Sequence, residues 1–344
     1  MQLKQKLKQM IQKSPLIWRA YFRVKTEILR ITNLRYYWYD ITQNYKAMNW
    51  RTSDPKRAII SSELIFLYHK LEKGLVMPGP KRLFGLEPAR SLMEILNKWD
   101  TRNLASDPVY LGALGTLQSY HDRILEFNLD EKDVILSDVK AFLINHDCQR
   151  AAYNTPCKLM TIDTSQNSDH KHFKILMEAR RSVRNFIDKP VPREILLDSI
   201  SMAQLSPSAC NRQPWDIKIV SDPEMKKKLL SHQNGNAGFG HLAPHIAVIS
   251  ADASCFFGVI EKPEPYIDGG LFSMSLILAL KANNVSSCCL NWCVRPKTDK
   301  AAHKLLNLAP SQRIIMLMAI GYAPEDTSVP RSPRRDVNDI VSFI

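Results

Sequence analysis

The sequence predicts two regions of different class: an all-α region over 1–160, and a domain over 172–344 in which helices alternate with strands. Three observations carry this reading. Up to about Asp147, apolar residues recur at three- and four-residue spacing, the period of a helix with one buried face. Further on, Trp215–Val220 alternates like a strand, and His245–Ser250 and Arg313–Ile320 are short apolar runs of strand length. Between the two textures lies 161–171 (TIDTSQNSDHK), polar and aperiodic, which reads as a linker.

Residues 1–30 place Leu3, Leu7, Ile11, Trp18, Tyr21 and Ile28 at helical spacing with Lys4, Lys8, Lys13, Arg19 and Arg23 between them, and Pro15 divides this stretch into two helices. Ser62–Lys73 is a helix with Gly74 as its stop, ahead of Pro78-Gly79-Pro80. Pro88–Trp99, Leu111–Phe127 and Glu131–Asn145 complete the helical region. In the second region Phe173–Arg181 and Arg193–Leu205 are helices, and Asp222-Pro223 opens another. Asp268–Ala282 is apolar nearly all round, which suits a helix in a core or at a subunit interface. Lys300–Asn307 is the last helix. Such alternation gives an α/β or α+β domain.

Composition narrows the function. With 45% hydrophobic and 24% charged residues, the disordered and fibrous classes are excluded. The apolar stretch Leu271–Leu280 falls short of the ~20 residues a bilayer crossing needs. Charges interrupt every apolar run before Asn33, so no secretory leader is expected and the cytoplasm is the expected compartment. Seven cysteines, an odd number without a CxxC pair, fit reduced thiols; those at 288, 289 and 293 are expected to be small buried hydrophobes. No zinc framework is visible, since Pro244 keeps His241 and His245 off a shared helix face. Of the net charge of +13, residues 1–50 hold +8 through ten Lys/Arg against two acids. That asymmetry points to an anionic partner. No nucleic-acid recognition module accompanies it, so no nucleic acid is expected. Residues 1–30 read either as a peripheral membrane segment or as a helix packed on the protein with a solvated basic face.

Three segments suggest chemistry. Arg180-Arg181-Ser182-Val183-Arg184 offers three guanidiniums and a hydroxyl, which can grip a phosphate. Ser206–Trp215 (SPSACNRQPW) is a helix-to-strand loop with hydroxyl and amide groups in close succession, suited to the rim of a planar heterocycle or simply to capping its own turn. Pro330-Arg331-Ser332-Pro333-Arg334-Arg335 is a basic pair of patches before Val337, Ile340, Val341 and Phe343, a tail built to dock.

In this order and spacing the three segments resemble the flavin-dependent nitroreductase family, and Gly321-Tyr322 resembles the family's ending of the last strand. The resemblance covers about 170–344. It implies an α+β sandwich around a central, mostly antiparallel sheet, a homodimer, and FMN at the dimer interface. It further implies that Arg180, Ser182 and Arg334 bind the FMN phosphate, that Arg181 is a further cofactor contact, and that Arg184 lies at the pyrimidine edge. A fixed cation there stabilises the negative charge that reduction places on that edge. Pro207, Ser208, Ala209 and Asn211 would line the ring and ribityl chain, with Asn236 as a further amide contact. A backbone N–H near Asn291 or Trp292 would meet N5 of the flavin. NAD(P)H is the implied electron donor, and a small nitro, quinone, enone or sugar-linked molecule the acceptor. The chain departs from the family where a glycine-rich turn is replaced by Asn284-Val285-Ser286. That departure keeps open a second class, a flavin-binding scaffold without catalysis in a membrane-associated biosynthetic complex. The segments around Leu230–Leu242 and Glu261–Pro265, where the family carries pocket-covering helices, are short. Finally, His69-Lys70-Leu71-Glu72-Lys73-Gly74-Leu75 resembles a segment preceding such domains in bacterial polysaccharide-biosynthesis clusters. It reads as a helix end, or as a helix lending His69 and Glu72 to the site.

Overall fold

The computed structural model describes residues 14–50, 56–77, 83–127, 132–146, 168–330 and 334–344. Helix α1 (Pro15–Ala47) has 33 residues and is about 50 Å long. Pro15 occupies its first turn, where a missing N–H costs nothing, so a helix opens there as expected for the second of the two helices. The part of the basic segment before Ser14 lies outside the described residues. Only the C-terminal part of α1 meets the rest of the protein: Tyr39 reaches Asp299 and Ala47 and Met48 are buried, whereas Leu16, Phe22, Ile28 and Leu34 are exposed.

Helices α2 (Arg57–Val76), α3 (Leu86–Leu96), α4 (Thr101–Leu104), α5 (Pro108–Leu125) and α6 (Lys132–Asn145) follow. Leu64 and Leu71 of α2, Leu92 and Leu96 of α3, Leu114 and Leu117 of α5 and Val139 of α6 are fully or almost fully buried in one core. Each recurs at helical spacing, which is why this region was legible as helix. Helix α5 begins at Pro108 after Asp107, whose carboxylate accepts the Val109 N–H at 2.8 Å.

Gly74 does not stop α2, which continues to Val76. Its role is close approach: a Cβ there would run into the ring of Phe84. The Gly74→Ala substitution therefore lowers stability by about 1–3 kcal/mol through overpacking, although alanine is the better helix former. Pairing it with Phe84→Leu should recover part of that loss, as read by urea unfolding.

The second region contains α7 (Ser168–Ala179), α8 (Arg193–Ala203), β1 (Trp215–Val220), α9 (Pro223–Leu230), β2 (His245–Asp252), α10 (Glu264–Ala282), β3 (Ser286–Asn291), α11 (Pro296–Leu306) and β4 (Gln312–Gly321). Helix α7 starts inside the expected linker, of which 161–167 lie outside the described residues. The strands form one antiparallel sheet in the order β1-β2-β4-β3. Leu229 and Leu306 cover one face against Val248 and Leu317. Leu196, Phe272 and Leu276 cover the other against Ile249 and Met318. The result is an α+β sandwich. Central strands β2 and β4 are buried on both faces and read as apolar runs. Edge strand β3 (SSCCLN) carries small and polar residues, so no such run announced it.

The two regions touch where α2 meets the loops beside β1 and β2. Phe66 packs edge-on against Phe257 at 4.8 Å between ring centroids. Asn49 donates its N–H to the Phe256 carbonyl and its side-chain amide to Glu63, each at 2.9 Å.

Candidate functional site

The outer edge of β3 organises the site. Ser182 forms a parallel bridge with Ser287, and the Val183 N–H donates to the Ser287 carbonyl at 3.1 Å. In an antiparallel strand a residue's N–H and C=O point to the same side, and the side alternates along the chain. Ser287, Cys289 and Asn291 therefore turn their backbone groups away from β4. The Asn291 carbonyl agrees, since it accepts Gln233 Nε2 at 3.0 Å. The N–H groups of Cys289 and Asn291 consequently face outward, while Trp292 lies past the end of the strand.

Guanidiniums stand along this edge. Arg180 acts electrostatically on the Cys289 thiol and Arg184 on that of Cys288. Arg184 is exposed and lies 5.8 Å from the Phe239 ring centroid. Arg181 donates Nη1 to the Arg180 carbonyl at 2.8 Å. Beside the start of β3 a cavity of about 200 Å³ is lined by Arg180, Arg181, Ser287 and Thr327. The Thr327 hydroxyl there is buried without a hydrogen-bond partner. Sequence reading missed Thr327, because a lone threonine in a proline-rich loop carries no pattern. The Asn284–Ser286 turn is made without glycine: Asn284 takes φ +56°, a left-handed conformation that asparagine tolerates.

The 206–215 loop is held under strain. Cys210, Asn211 and Gln213 all have positive φ, at 52°, 56° and 49°. Such residues persist only where their surroundings fix them. Ser208 Oγ accepts the Gln213 N–H at 3.0 Å, and the Ala209 N–H donates to both oxygens of buried Asp268 at 3.1 Å. Arg212, 3% exposed, donates to the Ala209 carbonyl at 3.0 Å, to the Cys255 carbonyl at 3.1 Å and to Glu261 at 2.6 Å. Its guanidinium also sits within 4.5 to 5.8 Å of the ring centroids of Phe256, Phe257 and Phe66. Arg212 thus fastens the loop to both regions and turns inward. Pro207 and Asn211 are exposed, and Ser208 and Ala209 are half-buried.

Burial raises the Asp268 carboxyl to about 6, against the opposing pull of the Ala209 hydrogen bond. Its folded pKa lies above its unfolded one, so between about pH 4 and 6 the folded state holds more protons. Stability therefore falls as pH rises through that window. Urea unfolding across pH 4–7 should show this slope, and Asp268→Asn should flatten it.

Asn236 donates Nδ2 to the Leu230 carbonyl at 2.9 Å and also to that of Gln233. It ties its own loop and reaches β3 only through Gln233. Arg334 lies on an exposed segment, while Arg331 to Pro333 are outside the described residues. The tail expected to dock does not do so on its own chain, for Val337, Ile340 and Phe343 are exposed. Of the three cysteines expected to be buried, Cys288 is, whereas Cys289 is exposed on edge strand β3 and Cys293 is exposed in the segment that follows it. His69 lies 3.5 Å from Glu72 on α2, and α2 meets the Phe256–Phe257 loop through Phe66 instead. His245 has local partners, the Val191 N–H at 3.0 Å and the Ser221 hydroxyl at 2.7 Å. Among the described residues no group of three His, Cys, Asp or Glu is placed to hold a metal ion.

The sequence profile of the nitroreductase family matches residues 177–237, which span both the Arg180–Arg184 segment and the strained loop. The 4-nitrobenzoate reductase of Pseudomonas putida is 24% identical over 224 residues, 50% of this chain and 95% of that one. The C-terminal half holds a nitroreductase-family domain. The iodotyrosine deiodinase of Danio rerio is similar to the same half, at 24% identity over 51% of this chain and 68% of that protein. Among solved structures, a nitroreductase family protein of Streptococcus pneumoniae aligns with a TM-score of 0.43 at 22% identity, covering 50% of this chain and 100% of that one. Outside the nitroreductase domain the basic helix α1 is the longest described, yet no described helix is long and apolar enough to cross a membrane.

Proposed function

We propose that the nitroreductase domain holds FMN along the outer edge of β3 and acts as an NAD(P)H-dependent oxidoreductase. The observation that carries this reading is the convergence on one strand edge of Arg180, Arg184 and outward backbone N–H groups. The donor set fits the group. The small cavity of Arg180 and Arg181, with the unpartnered Thr327 hydroxyl, suits a phosphate; Ser182 and Arg334 join it by resemblance. Arg184 supplies a fixed positive charge further along β3, where the ring's pyrimidine edge would lie. Pro207, Ser208, Ala209 and Asn211 join by resemblance; their loop, pre-set by Asp268 and Arg212, leads into β1 at the opposite edge of the sheet, so they would border the ring held by a second copy of the chain. Asn291, on the outward side of β3, is favoured over Trp292, past its end, as the N–H donor. Flavin, when bound, supplies two-electron transfer between a nicotinamide and an acceptor.

The exposed apolar residues Tyr266, Ile267, Leu271 and Met274 on α10 support a homodimer across that helix. The name of the Pseudomonas relative supports a nitro-bearing acceptor, and the His69–Leu75 resemblance supports a sugar-linked one in polysaccharide assembly. The left-handed turn at Asn284 favours catalysis over a scaffold role. Under anaerobic conditions, NADH or NADPH should bleach the bound flavin within seconds, and an acceptor such as 4-nitrobenzoate should restore the colour. Colour unaffected by either nucleotide would exclude the donor reading.

A further inference from the structure

A second cavity, of about 910 Å³, lies under the C-terminal end of α1 and is closed by the starts of α10, α11 and β4. It is distinct from the β3-edge site. Its walls carry seven aromatic side chains, among them Tyr37, Tyr45, Trp50, Tyr266 and Trp292. Four charged residues line it: Asp40, Asp299, Lys262 and Arg313. Asp299 is already engaged, accepting the Tyr39 hydroxyl at 2.9 Å and the Trp292 indole N–H at 2.8 Å. It thereby fixes α1 and Trp292 as walls.

Arg313 is different. It is 8% exposed, its Nη1 donates to the Pro310 and Gln312 carbonyls, and its Nη2 is buried with no hydrogen-bond partner. A buried, unpaired guanidinium nitrogen is costly, and an oxygen acceptor brought into the cavity would remove that cost. Lys262 adds a second positive charge at the wall, while aromatic faces favour a flat ring over a flexible chain.

We propose that this cavity binds a flat aromatic molecule bearing an acidic oxygen group, its ring stacked among the tyrosines and tryptophans and its oxygen taken by Arg313. Asp40, the other acidic wall residue, interacts through its charge with Arg313 and Asp299, and it would be the partner for a ring hydroxyl of the ligand. The site does not depend on flavin, so its test and the flavin test fail separately.

Calorimetric titration of the full chain with 4-hydroxybenzoate, with and without added FMN, tests this, using tryptophan fluorescence as a second readout because Trp50 and Trp292 line the wall. Saturable binding is expected in both conditions. The neutral 4-hydroxybenzamide should bind about tenfold more weakly. Tyr37→Ser and Lys262→Ala change exposed residues and leave the fold intact, and each should weaken binding several-fold. Arg313→Gln, if it folds by circular dichroism, should weaken it by about tenfold or more. No saturable binding, or binding that neither exposed substitution alters, would overturn the proposal.

Discussion

Alanine at position 212 should lower the stability of the whole protein by about 3 kcal/mol or more, and its melting temperature by about 4 °C or more. Arg212 is buried, donates to two carbonyls and pairs with Glu261 at 2.6 Å. Its removal leaves the Ala209 and Cys255 carbonyls short of a donor and Glu261, still 28% exposed, without its partner. It also empties a space between Phe66 of the helical region and Phe256 and Phe257 of the sandwich. Arg212→Lys keeps the charge but not the fan of donors and should lie in between. The double change Arg212→Met with Glu261→Leu should cost less than Arg212→Ala, since it leaves no unpaired charge. Equal losses in the two would mean that the hydrogen bonds to the Ala209 and Cys255 carbonyls, lost in both, outweigh the ion pair and the packing. Because Arg212 fixes a loop with three left-handed residues, partial release of flavin should accompany the loss of stability.

The second large effect concerns the strand edge. Replacing Arg180 and Arg184 together with alanine should weaken FMN binding by about 10²–10³-fold, the worth of two charge-assisted contacts. Thermal stability should change little, because Arg184 is exposed and Arg180 half-buried. Thr327→Val, which removes the unpartnered hydroxyl while keeping its shape, should weaken FMN binding several-fold and leave the unliganded protein equally stable or more so. Equilibrium titration of flavin-stripped protein, followed by flavin fluorescence, reads both. Full flavin retention in the double variant would place the phosphate elsewhere.

Much of this architecture was legible from residues, for identifiable reasons. β1 matched Trp215–Val220 to the residue because Asp222-Pro223, a capping pair whose carboxylate accepts the Met225 N–H, ends it sharply. β2 and β4 announced themselves because both faces are buried. β3 did not: an edge strand of Ser, Cys and Asn has neither alternation nor an apolar run, although the candidate site depends on it. Gly74 was read as a stop because glycine usually is one; only the third dimension shows Phe84 against it. Within the site, Arg180–Arg184 and the 206–215 loop stood out by composition. What composition hid was direction. Arg212 and Asn236 turn their polar groups into the protein, and Thr327 turns its hydroxyl to the cavity beside Arg180, a distinction set by contacts from elements far away in the chain.

The central claim is that the β3 edge holds FMN, and the absorbance spectrum of the purified full-length protein tests it most directly. A visible flavin band, present as isolated or after FMN is added and the excess removed, is the predicted result, with the band lost in the Arg180→Ala, Arg184→Ala double variant. A folded, colourless protein that also rejects added FMN would contradict the account.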